Sequence, residues 1–351
     1  LLFTAACTVH PPGEDEERAR AAAAGAAWQL PFTERPRPAL RTDSPLDDYV
    51  AFAEQQNGDF EAQYHKWVAA LEQVPQDGTQ PSTAMVGVVH RFDGGSALDR
   101  TGLSLASDAM NNLVAPGRLG AQAMAALERA RVAAAEFDRS RLRLQREVAE
   151  AFYALAGHDE EIELMLQQRA LLDGALPGIT ARVQAGAASA TELLLAQIAL
   201  DRLDAERERM HTGRPALVAA LRRAIGADPA FADATPALPP LEPVRATEQA
   251  FVDDALAHNP DLAVRTAEHA AALAETAARE WRAVPELSLA SVLTGDGALQ
   301  LAGAVTLPFL RSAAIDGAIA RAAEALRRQA GTDATAAALA GLAELRGQEQ
   351  E

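Results

Sequence analysis

The side chains best suited to proton transfer or metal binding are seven histidines: His10, His65, His90, His158, His211, His258 and His269. They are scattered. None is paired at i, i+4 with a carboxylate helper, and no Cys/His cluster exists, so the spacing predicts no zinc-type site. Five methionines are dispersed as well, which leaves no relay of soft ligands for a thiophilic metal. Asp159, Glu160, Glu161 and Glu163 put four carboxylates on one predicted helix, but no nucleophile or base accompanies them. The motif GxSxG is absent, and Asp93-Gly94-Gly95 reads as a hairpin turn rather than a phosphate loop. The expectation is a chain without catalytic residues, cofactor or bound metal.

One reactive position stands apart. The chain opens Leu1-Leu2-Phe3-Thr4-Ala5-Ala6-Cys7, an apolar stretch and small residues ahead of the single cysteine. That order reads as the tail of a truncated secretory signal ending in a lipobox, with Thr4 where leucine is usual and Cys7 as the lipid anchor. The plainer alternative is an ordinary thiol behind an apolar leader. With one cysteine there is no internal disulfide. Residues 8–46, rich in proline, alanine and acids, then form an N-terminal tether along the body.

Composition narrows the class. The 351 residues carry a formal charge of −17 with no basic stripe, which excludes nucleic acid as a partner. The acidic runs Glu14–Glu17 and Asp159–Glu163 read as solvated faces. Apolar residues make up 49% of the chain, but aromatics only 5%, and alanine supplies much of the difference. Such a chain favours long helices with narrow contacts over one thick core. No segment has the roughly 18 consecutive apolar residues of a spanning helix, so any membrane crossing must use strands in a closed barrel.

The elements that would position these residues occur twice. Asp48-Tyr49-Val50-Ala51-Phe52-Ala53 with Asn57-Gly58-Asp59-Phe60 returns as Ala250-Phe251-Val252-Asp253-Asp254-Ala255 with Asn259-Pro260-Asp261-Leu262. A helical stretch follows each copy (59–74 and 261–283), then a proline (Pro81, Pro285), then a pair of period-two runs joined by a Gly/Asp turn. Repeat 1 thus spans 47–226, with a β-hairpin at 82–106 and a helical hairpin at 119–226. A proline-rich linker, 227–246, leads to repeat 2 at 247–351, with its β-hairpin at 286–307 and a partial helix. In that last hairpin Leu299, Leu301, Gly303, Val305 and Leu307 share one face. The hairpins alone also fit a soluble β element packed on a helix, although four strands leave edges to be covered. Between the hairpins, Leu119 to about Gln184 is a helix on the order of 100 Å long, kinked near Pro177-Gly178. Gly186 stops it. Ser189-Ala190-Thr191-Glu192 is a capping box, with Ser189 capping the return helix and Glu192 reaching back to the cap amide.

Taken in order, these motifs resemble the outer membrane efflux (TolC-like) family, nearest in look to its heavy-metal and cation branch with lipid-anchored members. The resemblance rests on Asn259-Pro260-Asp261-Leu262, on the turn Val183-Gln184-Ala185-Gly186-Ala187-Ala188-Ser189-Ala190-Thr191-Glu192-Leu193, and on Thr306-Leu307-Pro308-Phe309 with Arg311. It covers roughly 45–330. It implies a mainly α fold with a small β part: long antiparallel helical hairpins forming a tunnel, and four strands per subunit in a twelve-stranded outer-membrane barrel shared by a homotrimer. It implies passive export of small molecules or metal cations handed over by an inner-membrane pump through a periplasmic adaptor. Gln184, Ala185, Gly186 and Ala187 would form the adaptor-docking tip, and Thr191 and Glu192 would help hold the entrance shut. Read without the resemblance, Gly186 is a turn and Glu192 a cap, and the whole chain also fits a periplasmic coiled-coil adaptor or scaffold lipoprotein. Two departures stand out. The first junction, Leu105 to Gly117, lacks the family's proline–aromatic turn. Repeat 2 reaches Glu351 without a second tip, as expected of a fragment.

Overall fold

Helix punctuation by asparagine, proline and glycine organises the protein, which is mainly α-helical. The computed structural model describes residues 8–35, 40–41, 43–79, 84–90, 101–107, 116–227, 235–239, 247–281, 284, 286–293, 299–306 and 313–348. Helix α1 spans Glu14–Ala24, followed by single 3-10 turns at Ala26–Trp28 and Phe32–Glu34. Next come α2 (Leu46–Gln56) and α3 (Gly58–Asp77), then strands β1 (Ala84–His90) and β2 (Thr101–Ser107). The long α4 (Pro116–Gln184) and α5 (Ala190–Ile225) follow. The remainder repeats the opening pattern: α6 (Glu248–His258), α7 (Pro260–Glu280), β3 (Glu286–Leu293), β4 (Leu299–Thr306) and α8 (Ala313–Gln348).

The duplication is physical as well as sequential. Asn57 accepts a hydrogen bond from the Phe60 amide at 3.1 Å, and Asn259 accepts one from Leu262 at 3.0 Å. Each asparagine ends one helix in extended backbone and caps the next, satisfying an amide that has no partner inside the helix. Pro260 fits the first helical position of the second copy because no intrahelical acceptor exists there for an N–H.

The chain forms two compact units, Leu1–Ala26, Gln63–Arg139 and Val244–Glu351 in one, Ala27–Ala62 and Ser140–Pro243 in the other. In the first, β1 pairs antiparallel with β2 (Val88 opposite Leu103), and β3 with β4 (Leu289 opposite Gly303), giving two two-stranded sheets. Strand β2 lies beside β3, and both α6 and α7 pack on α8. The helical core of this unit is narrow. Leu119, Ala123, Ala126, Leu127, Ala130, Ala134 and Phe137 are buried at helical spacing on α4, and Trp67, Leu71 and Val74 are buried on α3. Trp67 lies 5.5 Å from the Phe137 ring, so a few aromatics fill what alanine leaves open.

The second unit packs α2 on α5. Tyr49 meets Phe152 edge-on at 5.4 Å, while Leu155, Leu221 and Ile225 are fully buried. Asn57 ties the end of α5 to the α2–α3 junction by donating from Nδ2 to the Ala224 carbonyl at 3.1 Å. Gly226 closes α5 in the left-handed region (φ +68°), and a Cβ there would stand 2.9 Å from the Gln56 carbonyl oxygen. Only glycine meets both demands.

Two expectations need correction. The run Glu14–Glu17 is only in part a solvated face: Asp15 and Glu16 are exposed, but Glu14 is 2% exposed and Glu17 8%. Glu14 accepts hydrogen bonds from Arg18 Nε (2.8 Å) and pairs with His10 Nδ1 (2.9 Å), while Arg18 reaches Glu72 (2.7 Å) and the Leu71 carbonyl (3.1 Å). Arg20 pairs with Asp138 and Glu17. The N-terminal segment is therefore seated by charge on α3 and α4. The histidine reading also changes, because His10 and Glu14 approach to 2.9 Å and His258 and Asp254 to 3.1 Å, both at i, i+4 spacing. Cys7, Pro81, Pro285, the turns 91–100 and 294–298, and the junction segments 108–115 and 307–312 lie outside the described residues.

Burial opposes ionisation of Glu14, yet hydrogen bonds from Arg18 and His10 outweigh it and hold its carboxyl below the ordinary value. A lowered carboxylate stabilises the docked segment fully above its ordinary pKa and loses that contribution as pH falls through the lowered value. The protection factors of the α1 amides should therefore fall as pH drops through that lowered value, and Glu14→Gln should show the weaker protection already at neutral pH. Separately, Gly226→Ala should lower unfolding stability by about 1–3 kcal/mol, read from denaturant midpoints, because it combines left-handed strain with a backbone clash.

Candidate functional site

The site singled out by sequence is the turn between α4 and α5. Helix α4 ends in a Schellman arrangement: the Gly186 amide donates to the Val183 carbonyl at 3.0 Å and the Ala187 amide to Arg182 at 2.8 Å. Gly186 adopts φ +70° with nothing near its α-carbon, so glycine is required here for conformation and not for space. Ser189 then caps α5 from extended backbone, its Oγ accepting from the Glu192 amide at 3.2 Å.

Only this half of the predicted capping box forms. The Glu192 carboxylate pairs instead with Arg182 across the turn at 3.3 Å, because the antiparallel return of the chain brings that guanidinium within reach. Gln184, Ala185, Gly186, Ala187 and Thr191 are exposed, and Glu192 is half-buried. The turn thus presents small side chains and accessible backbone above a single ion pair. No side chain of the turn is arranged for proton transfer.

Below the turn, two more charged rungs keep the same antiparallel register. Arg169 donates to Asp204 at 2.7 Å, and Arg214 forks onto Asp159 at 2.7 and 2.8 Å. His158 Nε2 lies 2.9 Å from the Met210 carbonyl oxygen. A hydrogen bond from Arg169 holds the Asp204 carboxyl below its ordinary value. Asp159 therefore belongs to a rung, while Glu160, Glu161 and Glu163 remain exposed. Apolar residues face outward alongside: Leu171 is 77% exposed and Leu195 61%, with Leu164, Leu166 and Leu194 also exposed. Sequence reasoning missed the rungs because partners 35 or 55 residues apart can be matched only once the hairpin register is known.

Among the described residues no group of three or more His, Cys, Asp or Glu side chains could hold a metal ion, and no helix is long and apolar enough to cross a membrane.

No protein-family model and no curated protein matches the chain. Solved structures do. The open state of the MtrE outer membrane channel of Neisseria gonorrhoeae superposes with a TM-score of 0.64 at 18% identity, over 87% of this chain and 73% of that one. A membrane protein from Pseudomonas aeruginosa gives 0.63 at 19% identity, over 90% and 79%. CusC, described in terms of folding and transmembrane channel formation, gives 0.61 at 14%, over 88% and 78%. The chain has the fold of outer-membrane channels. The Gly186 turn is thus the loop of a helical hairpin on a channel-type fold.

Gly186→Ala should cost about 1–2 kcal/mol from left-handed strain alone, whereas Gly186→Asn should cost less, since asparagine tolerates that region; paired melting curves check the order. The exposed Arg182–Glu192 pair should contribute under about 1 kcal/mol in a double-mutant cycle.

Proposed function

We propose that this chain is a subunit of an outer-membrane exit duct, a passive conduit without catalytic chemistry. Small molecules or metal cations would reach it from an inner-membrane transporter through a periplasmic adaptor. The observation that carries this reading is the shared fold with outer-membrane channels over about nine-tenths of the chain. The duplicated unit of capped helices, paired strands and long helix supports it independently.

Self-association follows from what one copy leaves uncovered. Two two-stranded sheets have open edges, and closure around a homotrimeric barrel removes them. Val88 and Val305, 71% and 56% exposed on their strands, suit a lipid-facing surface. The outward leucines of α4 and α5 suit lateral packing between subunits of a helical tunnel. The turn at Gln184–Ala187, with Thr191 and Glu192, is the adaptor-docking end in this reading.

A lipid anchor at Cys7 fits the same frame. Its neighbour Thr8 forms a β-bridge with Thr79, a few residues ahead of β1. The charge of −17 favours cationic cargo by raising its local concentration.

Expressed in a Gram-negative host, the chain should sediment with outer membrane and need detergent for release. Release by salt and buffer alone overturns the duct reading in favour of a periplasmic coiled-coil protein. Cys7→Ser should abolish acyl labelling of the precursor; retained label refutes the anchor.

A further inference from the structure

A cavity of about 510 Å³ opens where the helices give way to the strands. It lies between the C-terminal ends of α3 and α7 and the first turns of α4, and Asp77, Thr79, Arg118, Arg129, Glu275 and Arg279 line it. Three guanidinium groups line this one cavity, in a chain of net charge −17. Two of the three already meet neighbouring carboxylates. Arg129 meets Asp77 at 3.1 Å and Glu275 at 3.7 Å, while Arg279 meets Glu275 at 3.4 Å and Asp316 at 3.3 Å. The Arg129 and Arg279 guanidiniums each carry five N–H donors, so such pairing does not exhaust them. The first-turn amides of α4 also have no acceptors within the helix.

Trp281 adds a second, independent sign. It stands just past the end of α7, half-buried, with its ring packed over Gly117 in the first turn of α4. Tryptophan beside basic side chains at the boundary between strands and polar helices is the composition of a membrane–water interface. Basic pockets beside membrane-spanning elements bind lipid headgroup phosphates.

We propose that this cavity binds the headgroup of a zwitterionic phospholipid of the phosphatidylethanolamine type, in the leaflet nearer the helices. Arg118, Arg129 and Arg279 receive the phosphate, and Asp77 and Glu275 receive the ammonium. The alternation of charge within one cavity selects a zwitterion over a purely anionic headgroup. This rests on the duct reading, which places the strands in the membrane.

The full chain, purified in detergent, is titrated with dihexanoyl-phosphatidylethanolamine, dihexanoyl-phosphatidylglycerol and inorganic phosphate, with bound ligand counted by native mass spectrometry. Phosphatidylethanolamine should bind at least about tenfold more tightly than either competitor. The double variant Arg118→Gln/Arg129→Gln should lose about tenfold or more of that affinity, the scale of two charge-assisted contacts. The variant Asp77→Asn/Glu275→Gln should keep lipid but prefer phosphatidylglycerol. Equal binding of inorganic phosphate, or an arginine variant with unchanged circular dichroism that binds lipid as wild type does, overturns the proposal. If the arginine variant fails to fold, the headgroup preference of Asp77→Asn/Glu275→Gln decides, and an unchanged preference overturns it. Outer-membrane fractionation separates the two failures, since a chain that fractionates there and binds no lipid sinks only the headgroup site.

Discussion

Two antiparallel helices share a single seam, and the apolar side chains of α4 and α5 exceed what one seam can cover. Met210, Val218 and Leu221 go inward, but Leu164, Leu171, Leu194 and Leu195 have no inward place to go. Water contact at that many leucines is unfavourable by roughly 25 cal/mol per Å² of apolar surface. The three charged rungs fix the register of the hairpin without adding much stability, since exposed pairs contribute little. The helices are therefore specified as a pair and left incomplete as a packed body. The duct reading turns this deficit into an assembly rule, because further copies supply the missing neighbours.

Small residues and caps let such thin packing hold. Buried alanines along α4 allow close helix contact, and the few large rings, Trp67 with Phe137 and Tyr49 with Phe152, fill the gaps. Asn57 performs two tasks at once. It caps α3 with its oxygen and holds the end of α5 with its nitrogen, so the helical hairpin is fastened to the helices that open the same repeat. The N-terminal segment adds an ionic clasp through Glu14, Arg18 and Glu72.

Much of the helical plan was legible in the sequence because its signals are local. Asn259-Pro260, Gly186, Ser189 and Gly226 each act within a turn or two of where they stand, and each governs a helix end in the structure. What escaped was non-local. Acidity in Glu14–Glu17 looked like a solvated face because Arg18 alone gives no hint of Glu72 or of the α4 surface. Glu192 was assigned to its cap amide, yet Arg182 lies ten residues away and becomes its partner only after the chain reverses. The arginines of the junction cavity come from α4 and α7, 150 residues or more apart, and no window on the sequence joins them.

The assembly rule is open to a direct measurement, the mass of the detergent-solubilised particle by multi-angle light scattering after subtraction of detergent. One chain weighs 37.0 kDa. A particle containing three chains, dissociating when Leu171 and Leu195 are replaced by glutamate, is the result this account predicts. A stable single-chain particle whose helices melt cooperatively and resist those substitutions would contradict it.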